Sequence, residues 1–238
     1  MSIDIKICGL TTLDALDAAL DAGADMIGVV FFPKSPRNID HVTAATLAAR
    51  ARGRARIVAL TVDADDDALK DIVAAIQPDM LQLHGSETPE RVAAIRARFG
   101  LPVMKAIGIA SSADLAQIPA YAEVADRLLL DAKAPKDALL PGGNGVPFDW
   151  NLLAGLDLAK PFMLSGGLNP DNVGEALRLA NVPGVDVSSG VESAPGVKDT
   201  ARIVAFIQAA RAATADSANQ PAGPPASPSS ANQTSIAS

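Results

Sequence analysis

Short apolar runs rich in β-branched residues alternate along the chain with stretches in which leucine and alanine recur every three or four positions. The runs predict strands, because a buried parallel strand is continuously hydrophobic, and the recurring leucines predict helices with one apolar face. The predicted strands are Ile3–Cys8, Met26–Phe31, Arg56–Val62, Met80–His84, Pro102–Ile107, Arg127–Asp131, Pro161–Ser165 and Val185–Ser188. The predicted helices include Thr12–Leu20, Thr43–Ala51, Asp66–Ile76, Pro89–Phe99 and Val173–Ala180.

About eight alternating units predict the α/β class and a single (β/α)8 TIM barrel that spans residues 1–213. An open doubly wound sheet is the alternative, although it usually has a glycine-rich turn after the first strand, where this chain has Gly9 alone. From Thr214 onward Ala, Ser, Pro, Asn and Gln dominate and Asp216 is the only charged residue. Residues 214–238 are therefore expected to be a disordered tail, with an ordered docking segment as the alternative.

Composition narrows the possible partners. The chain has 238 residues, of which 49% are hydrophobic, and a formal net charge of −7. The acidic balance and the lack of a basic patch argue against nucleic-acid binding. The N-terminal residues do not resemble a signal peptide, the longest apolar stretch (Met26 to Phe32) is too short to span a membrane, and one cysteine permits no internal disulfide. We expect a cytoplasmic protein without a membrane partner.

Three titratable residues are predicted to meet at one end of the barrel. Side chains alternate along a strand, so Lys6 and Cys8 point inward in the first strand while the neighbouring isoleucines point outward. The same alternation turns His84 and Asp131 inward at the carboxyl ends of their strands, where barrels carry their active sites. Taken singly, Cys8 could be an inert buried thiol, His84 a satisfied strand-end histidine and Asp131 a cap for the next segment.

Two glycine-containing loops follow the last two predicted strands. Ser165-Gly166-Gly167-Leu168 follows the seventh strand, and Ser188-Ser189-Gly190-Val191-Glu192 follows the eighth. Barrels often bind phosphate between these two loops, because glycine lets the backbone amides approach an anion. The alternative is a pair of ordinary strand-to-helix turns.

Two further charged side chains have expected partners. Arg37 ends the stiff loop Phe32-Pro33-Lys34-Ser35-Pro36-Arg37 and could bind a carboxylate in bidentate fashion, or could be a solvated loop arginine.

Lys6 points into the barrel and needs a partner, for which Asp186 on the adjacent eighth strand has the right parity. A Schiff-base lysine is the alternative role for Lys6. The direction of Lys105 stays open.

Taken together, these segments resemble the phosphoribosylanthranilate isomerase family of tryptophan biosynthesis, in family order from Lys6 to about Asp199. The matching stretches are Lys6-Ile7-Cys8-Gly9, Phe32 to Arg37, Leu81-Gln82-Leu83-His84-Gly85, Leu130-Asp131, Gly142-Gly143-Asn144-Gly145 with Phe148-Asp149-Trp150, Ser165 to Leu168, and Asp186 to Glu192 with Pro195-Gly196. One loop departs from the pattern: Val146-Pro147 follows Gly145, where many members have Gly-Gly-Thr-Gly and a lysine.

The resemblance implies a cofactor-free and metal-free Amadori rearrangement of a phosphosugar, in which N-(5-phosphoribosyl)anthranilate becomes carboxyphenylamino-deoxyribulose phosphate. Matched by position, Asp131 would be the general acid that opens the sugar ring and Cys8 the general base that takes the proton from carbon 2. Arg37 would contact the anthranilate carboxylate, and the loops at Gly166-Gly167 and Ser189-Gly190 would hold the phosphate. His84 matches a site residue without a fixed role, and family members are monomers or homodimers.

Three other functions are compatible with parts of the sequence. The related histidine-pathway isomerase acts on a two-phosphate substrate, but it should have aspartate where this chain has Cys8 and a second phosphate loop where this chain has His84-Gly85-Ser86. A Schiff-base aldolase would need a reactive lysine. A non-catalytic phosphosugar-binding module would have lost its acid or its base, whereas both Cys8 and Asp131 are present.

Overall fold

Eight parallel strands close into a barrel in chain order. The structure is a computed structural model that describes residues 3–133, 149–156, 158–180 and 182–218. The strands are β1 (Asp4–Cys8), β2 (Met26–Phe31), β3 (Arg56–Thr61), β4 (Met80–Leu83), β5 (Val103–Ile109), β6 (Arg127–Ala132), β7 (Phe162–Leu164) and β8 (Gly184–Val187). β8 pairs with β1, with Asp186 opposite Lys6. The predicted (β/α)8 barrel is confirmed, and the open doubly wound alternative is wrong.

Seven α-helices lie between and after the strands in the described residues. They are α1 (Leu13–Asp21), α2 (His41–Ala51), α3 (Asp66–Ile76), α4 (Pro89–Phe99), α5 (Ile118–Val124), α6 (Val173–Ala180) and α7 (Thr200–Ala218). Side-chain oxygens of residues just before the first four helices accept main-chain N–H bonds and so fix where each helix begins. No helix in the described part of the chain is long and apolar enough to cross a membrane.

Two predictions, the start of the tail and the loop Gly142–Gly145, concern regions at or beyond the edge of the described residues. Helix α7 continues to Ala218, past the expected change at Thr214. Residues 219–238 lie outside the described residues, so the expected disorder there stays a prediction. The loop Gly142–Gly145 and the departure at Val146-Pro147 also lie outside them.

The strands separate two apolar layers. Outward-facing residues such as Ile5, Ile7, Leu81 and Leu83 pack in one large cluster with the helices. The barrel interior has its own core, which is rich in methionine and consists of Met26, Val58, Met80, Met104, Ala106, Leu129 and Met163. This division confirms the alternation predicted from the sequence, since each inward apolar residue is flanked by outward ones. The interior core closes the barrel below the carboxyl ends of the strands, where the predicted site residues lie.

A charged cluster lies at the amino-terminal end of the strands. Asp4 Oδ1 lies 2.8 Å from Arg56 Nη2, and Asp4 Oδ2 lies 2.6 Å from Arg127 Nη1. Burial alone would raise the pKa of Asp4, but Arg127 and then Arg56 outweigh it and lower the pKa. Because barrel chemistry occurs at the opposite end, this cluster serves stability.

Candidate active site

A single pocket at the carboxyl ends of the strands brings the predicted residues together. Cys8, Arg37, His84 and Asp131 all line it, as do the two loops that follow β7 and β8. Its apolar wall consists of Val30, Phe32, Leu60, Val62, Leu168 and Val187. The pocket therefore combines titratable groups, main-chain amides and apolar surface, which is typical of a small-molecule binding site.

Cys8 ends β1 in a buried position, with 3% of its surface exposed. Gly28 on β2 leaves the room for it, because a Cβ built on Gly28 would lie 2.9 Å from Cys8 Sγ. Burial raises the pKa of the Cys8 thiol above its usual value, although the positive charges of Lys6 and Lys198 oppose the shift. The positive surroundings expected from the sequence are present, but burial outweighs them and disfavours the thiolate.

The buried ion pair predicted below Cys8 is confirmed. Lys6 Nζ donates to Asp186 Oδ1 at 2.9 Å, and the Lys6 side chain is fully buried. Burial alone would lower the pKa of Lys6, but the charges of Asp186 and Cys8 outweigh it and raise the pKa. A charged, paired Lys6 is unsuited to Schiff-base formation, which requires a free amine.

Asp131 lies at the end of a hydrogen-bonded row of three side chains. Its Oδ2 is 3.1 Å from His84 Nε2, and its Oδ1 accepts from the Ala132 N–H at 2.9 Å. On the far side of the ring, Gln82 Nε2 is 2.9 Å from His84 Nδ1. Strand β4 ends at Leu83, one residue before the predicted end, but the His84 N–H still donates to the Thr61 carbonyl oxygen and continues the ladder.

Arg37 is buried and not solvated, which excludes the alternative of a loop arginine in water. Its Nε and Nη2 donate to the two carboxylate oxygens of Glu192 at 2.7 and 2.9 Å. Glu192 Oε1 also lies 2.7 Å from Lys198 Nζ. The three side chains together carry one net positive charge beside the pocket, which suits an anionic group of a ligand.

Glu192 and Lys198 were not identified as site residues from the sequence. They lie on the hairpin β9 (Glu192–Ala194) and β10 (Val197–Lys198). An acid and a base that flank a Pro-Gly turn are typical of a cross-strand ion pair, and this spacing was the available signal. Burial alone would raise the pKa of Glu192, but hydrogen bonds from Arg37 and the charge of Lys198 lower it.

Lys105 points outward from the barrel, which settles its open direction. Its Nζ lies 2.7 Å from Glu87 Oε2 and donates to the carbonyl oxygens of Leu83 and Gly85. Glu87 in turn accepts from the Gly85 N–H. This buried pair therefore supports from behind the loop that carries His84.

The loops after β7 and β8 differ from the loop after β4 in whether their main-chain N–H groups already donate hydrogen bonds within the protein. Among the described residues, no group accepts a hydrogen bond from the amides of Gly166 and Gly167, whereas carboxylates of Glu87 and Asp63 occupy those of Gly85 and Ser86. The Gly85 and Ser86 amides are thus already engaged and do not offer a second phosphate site, which argues against a two-phosphate substrate.

The two glycine loops contact each other through Gly190. A Cβ on Gly190 would overlap the Leu168 carbonyl oxygen, and a Cβ on Gly166 would overlap Ala132. Gly166, Gly167 and Ser189 line the pocket, but Gly190 is not among the described lining residues and lies behind them at the junction. Gly190 therefore packs closely against the loop after β7, and its expected contact with a ligand stays a prediction.

The chain is similar to known proteins over most of its length. Residues 5–209 match the family model described as N-(5'-phosphoribosyl)anthranilate (PRA) isomerase. The chain is 61% identical over 212 residues to N-(5'-phosphoribosyl)anthranilate isomerase of Rhodopseudomonas palustris strain HaA2, covering 89% of this chain and 97% of that protein. It is 60% identical over 218 residues to that of Mesorhizobium japonicum, covering 92% and 100%.

Solved structures agree with the sequence relatives. Phosphoribosyl anthranilate isomerase from Thermotoga maritima has a TM-score of 0.80 and 36% identity, covering 88% of this chain and 99% of that one. A phosphoribosyl anthranilate isomerase in complex with reduced 1-(o-carboxyphenylamino)-1-deoxyribulose 5-phosphate has a TM-score of 0.77 and 34% identity, with the same coverage. Residues 5–209 contain β1 from Ile5 onward, all of β2 to β8 and every residue that lines the pocket. The chain belongs to the N-(5'-phosphoribosyl)anthranilate isomerase family.

Proposed function

We propose that this pocket carries out the reaction of the family. The protein is an isomerase of tryptophan biosynthesis that converts N-(5-phosphoribosyl)anthranilate to 1-(2-carboxyphenylamino)-1-deoxyribulose 5-phosphate. The observation that carries the proposal at the level of residues is that Cys8 and Asp131 line the same pocket as the glycine loops and Arg37. One acid, one base and two anion-binding elements are the groups that an Amadori rearrangement of this substrate requires.

The acid step opens the sugar. Asp131 in its protonated form donates to the ring oxygen, the bond between carbon 1 and that oxygen breaks, and the amine nitrogen lone pair forms the C=N bond of a Schiff base. His84 Nε2 and the Ala132 amide lie against the two Asp131 oxygens and would stabilise the carboxylate that remains. The step therefore uses a carboxyl whose ionised form already has hydrogen-bond partners.

The base step moves a proton from carbon. The Cys8 thiolate removes the proton from carbon 2, and the electron pair shifts through carbon 1 to the nitrogen, which gives an enaminol that tautomerises to the aminoketone. Lys6 and Lys198 favour the thiolate, whereas burial disfavours it. The cationic iminium of the Schiff base adds positive charge next to the thiol, so the substrate itself favours ionisation of Cys8.

Two anionic groups fix the substrate. Arg37, which Glu192 and Lys198 hold in place, would bind the anthranilate carboxylate. The amides of Gly166 and Gly167, together with Ser189, would bind the phosphate at the other end of the pocket. The apolar wall between them would contact the aromatic ring.

A turnover assay with purified protein tests the proposal. Loss of phosphoribosylanthranilate fluorescence without added cofactor or metal is expected, and binding without turnover would identify a non-catalytic module instead. We propose further that residues 1–213 form the catalytic domain and that residues 214–238 are dispensable. Truncation before Thr214 tests this proposal, and truncation after Ala218, where α7 ends, is the comparison that leaves the helix whole.

We propose a cytoplasmic protein with a phosphosugar substrate and no nucleic-acid partner, in line with its acidic charge. Monomer and homodimer are both compatible with one complete pocket per chain, and a related isomerase from Thermotoga maritima is described as dimeric. Size-exclusion chromatography with light scattering distinguishes the two states.

A further inference from the structure

Gln82 is a fully buried side chain whose only described polar contact is the ring of His84. Its Nε2 lies 2.9 Å from His84 Nδ1, and its Oε1 is buried without a hydrogen-bond partner among the described residues. The opposite ring nitrogen, Nε2, faces Asp131 Oδ2 at 3.1 Å. His84 is thus held between an amide and the carboxyl group that acts as the proposed acid.

The amide decides which ring nitrogen of His84 carries the proton. An amide N–H can only donate, so Nδ1 of His84 must accept and cannot hold a proton of its own. A neutral imidazole with Nδ1 as acceptor carries its proton on Nε2, where it donates to Asp131. An imidazolium would place an N–H of the ring against an N–H of Gln82.

We propose that Gln82 is a positioning residue that keeps His84 neutral, with its proton on Nε2 directed at Asp131. This inference rests on the proposed function, because it matters for catalysis only if Asp131 is the acid. A neutral imidazole lets Asp131 alternate between carboxyl and carboxylate. A charged imidazolium would form an ion pair that holds Asp131 as the carboxylate and removes its proton from the reaction.

The other charged groups near His84 do not replace Gln82 in this role. Arg37 and Cys8 line the same pocket, but Arg37 is paired with Glu192. Glu87 and Lys105 lie behind the loop and are paired with each other. The amide of Gln82 is therefore the group that discriminates between the protonation states of the ring on its Nδ1 side.

Nitrogen-15 NMR can measure the tautomer directly, because the chain contains only two histidines, His41 and His84. The variant His41→Gln, on the outer helix α2, assigns the remaining signals to His84. In this variant, His84 is expected to be the neutral Nε2–H tautomer at pH 7. A neutral Nδ1–H tautomer, or a charged ring, would overturn the proposal, since either requires the Gln82 amide to present Oε1.

Two substitutions of Gln82 separate positioning from mere packing. In Gln82→Glu the carboxylate accepts from Nδ1–H, so the Nδ1 signal of His84 should become that of a protonated nitrogen, and kcat at neutral pH should fall about tenfold or more with a smaller change in KM. Gln82→Met keeps the volume but removes the donor, so both tautomers should appear.

The outcomes distinguish this inference from the proposed function. An unchanged tautomer in Gln82→Met would overturn the role of Gln82, whatever the activity, and this variant keeps the test decisive if Gln82→Glu fails to fold. Absence of turnover in the unmodified protein would instead contradict the proposed function while leaving the NMR result intact.

Discussion

The carboxylate of Glu192 accepts two hydrogen bonds from one edge of the Arg37 guanidinium, at 2.7 and 2.9 Å. This bidentate pair leaves Nη1 of Arg37 as the terminal nitrogen that Glu192 does not engage. Lys198 contacts the same carboxylate, so the pair does not neutralise the positive charge that a substrate carboxylate would meet. Glu192 thus orients the Arg37 guanidinium without neutralising the positive charge of this part of the pocket.

Glu192→Gln should weaken substrate binding more than turnover. The neutral amide cannot accept from both guanidinium nitrogens, and it leaves two cations close together without their counter-charge. We expect KM to rise about tenfold or more with a small change in kcat, and thermal stability to fall. The exposed substitution Glu175→Gln on α6 is the control. A variant that changed kcat and left KM unaltered would contradict the orienting role.

Cys8→Ala and Asp131→Asn should each lose most turnover, by about a hundredfold or more, because each removes one proton-transfer group. Binding of the reduced product analogue should survive, since neither substitution alters the glycine loops or Arg37. Calorimetric titration with the analogue and the fluorescence assay measure the two properties separately. Near-normal turnover in either variant would contradict the role given to that residue.

Alkylation of Cys8 should be slow at neutral pH and accelerate into the alkaline range. The thiolate is the reactive form, and burial raises the pKa of Cys8 above the usual value of a thiol, so the thiolate fraction at pH 7 is small. Because Cys8 is the only cysteine, whole-protein mass spectrometry reports this site alone. The rate should still be rising at pH 9, and a plateau below pH 8 would contradict the raised pKa.

A lysine substitution sharpens the same measurement. The charge of Lys198 opposes the upward shift of the Cys8 pKa. Lys198→Met should therefore move the rise in alkylation rate to still higher pH, whereas the substitution Lys70→Met, on the exposed surface of α3, should not. Substrate analogue should protect Cys8 in all of these proteins.

Much of this site could be predicted from the sequence because strand alternation and barrel closure are simple geometric rules. They placed Cys8 and Asp131 inward and paired Lys6 with Asp186. The partner of Arg37 could not be predicted in this way, because Glu192 lies 155 positions away on a hairpin outside the barrel. The direction of the Cys8 pKa shift also escaped prediction, since it depends on how fully the folded chain excludes water from the thiol.

Asp4 should make stability depend on acid pH. Its pKa is lowered in the folded state, so the carboxylate contributes stability above its unfolded pKa, and this contribution is lost as pH falls through the folded pKa. Melting temperature should therefore decline less steeply below about pH 4 in Asp4→Asn than in the unmodified protein, from a lower value at pH 7. Asp71→Asn, at an exposed position on α3, should leave the curve unchanged. If the melting temperature fell equally steeply with pH in Asp4→Asn and in the unmodified protein, Arg127 and Arg56 would not stabilise the Asp4 carboxylate.

Gly190→Ala should impair phosphate binding although Gly190 does not line the pocket. A methyl group there would overlap the Leu168 carbonyl oxygen, so the loop after β8 must separate from the loop after β7. The amides proposed to bind phosphate belong to those same loops, and an outward shift weakens their joint contact with the anion. We expect KM for the substrate and the inhibition constant of inorganic phosphate to rise together. Gly174→Ala in α6, whose Cβ would meet its nearest neighbour at 3.7 Å, should change neither. If Gly190→Ala raised KM and left phosphate inhibition intact, the phosphate would have to bind elsewhere in the pocket.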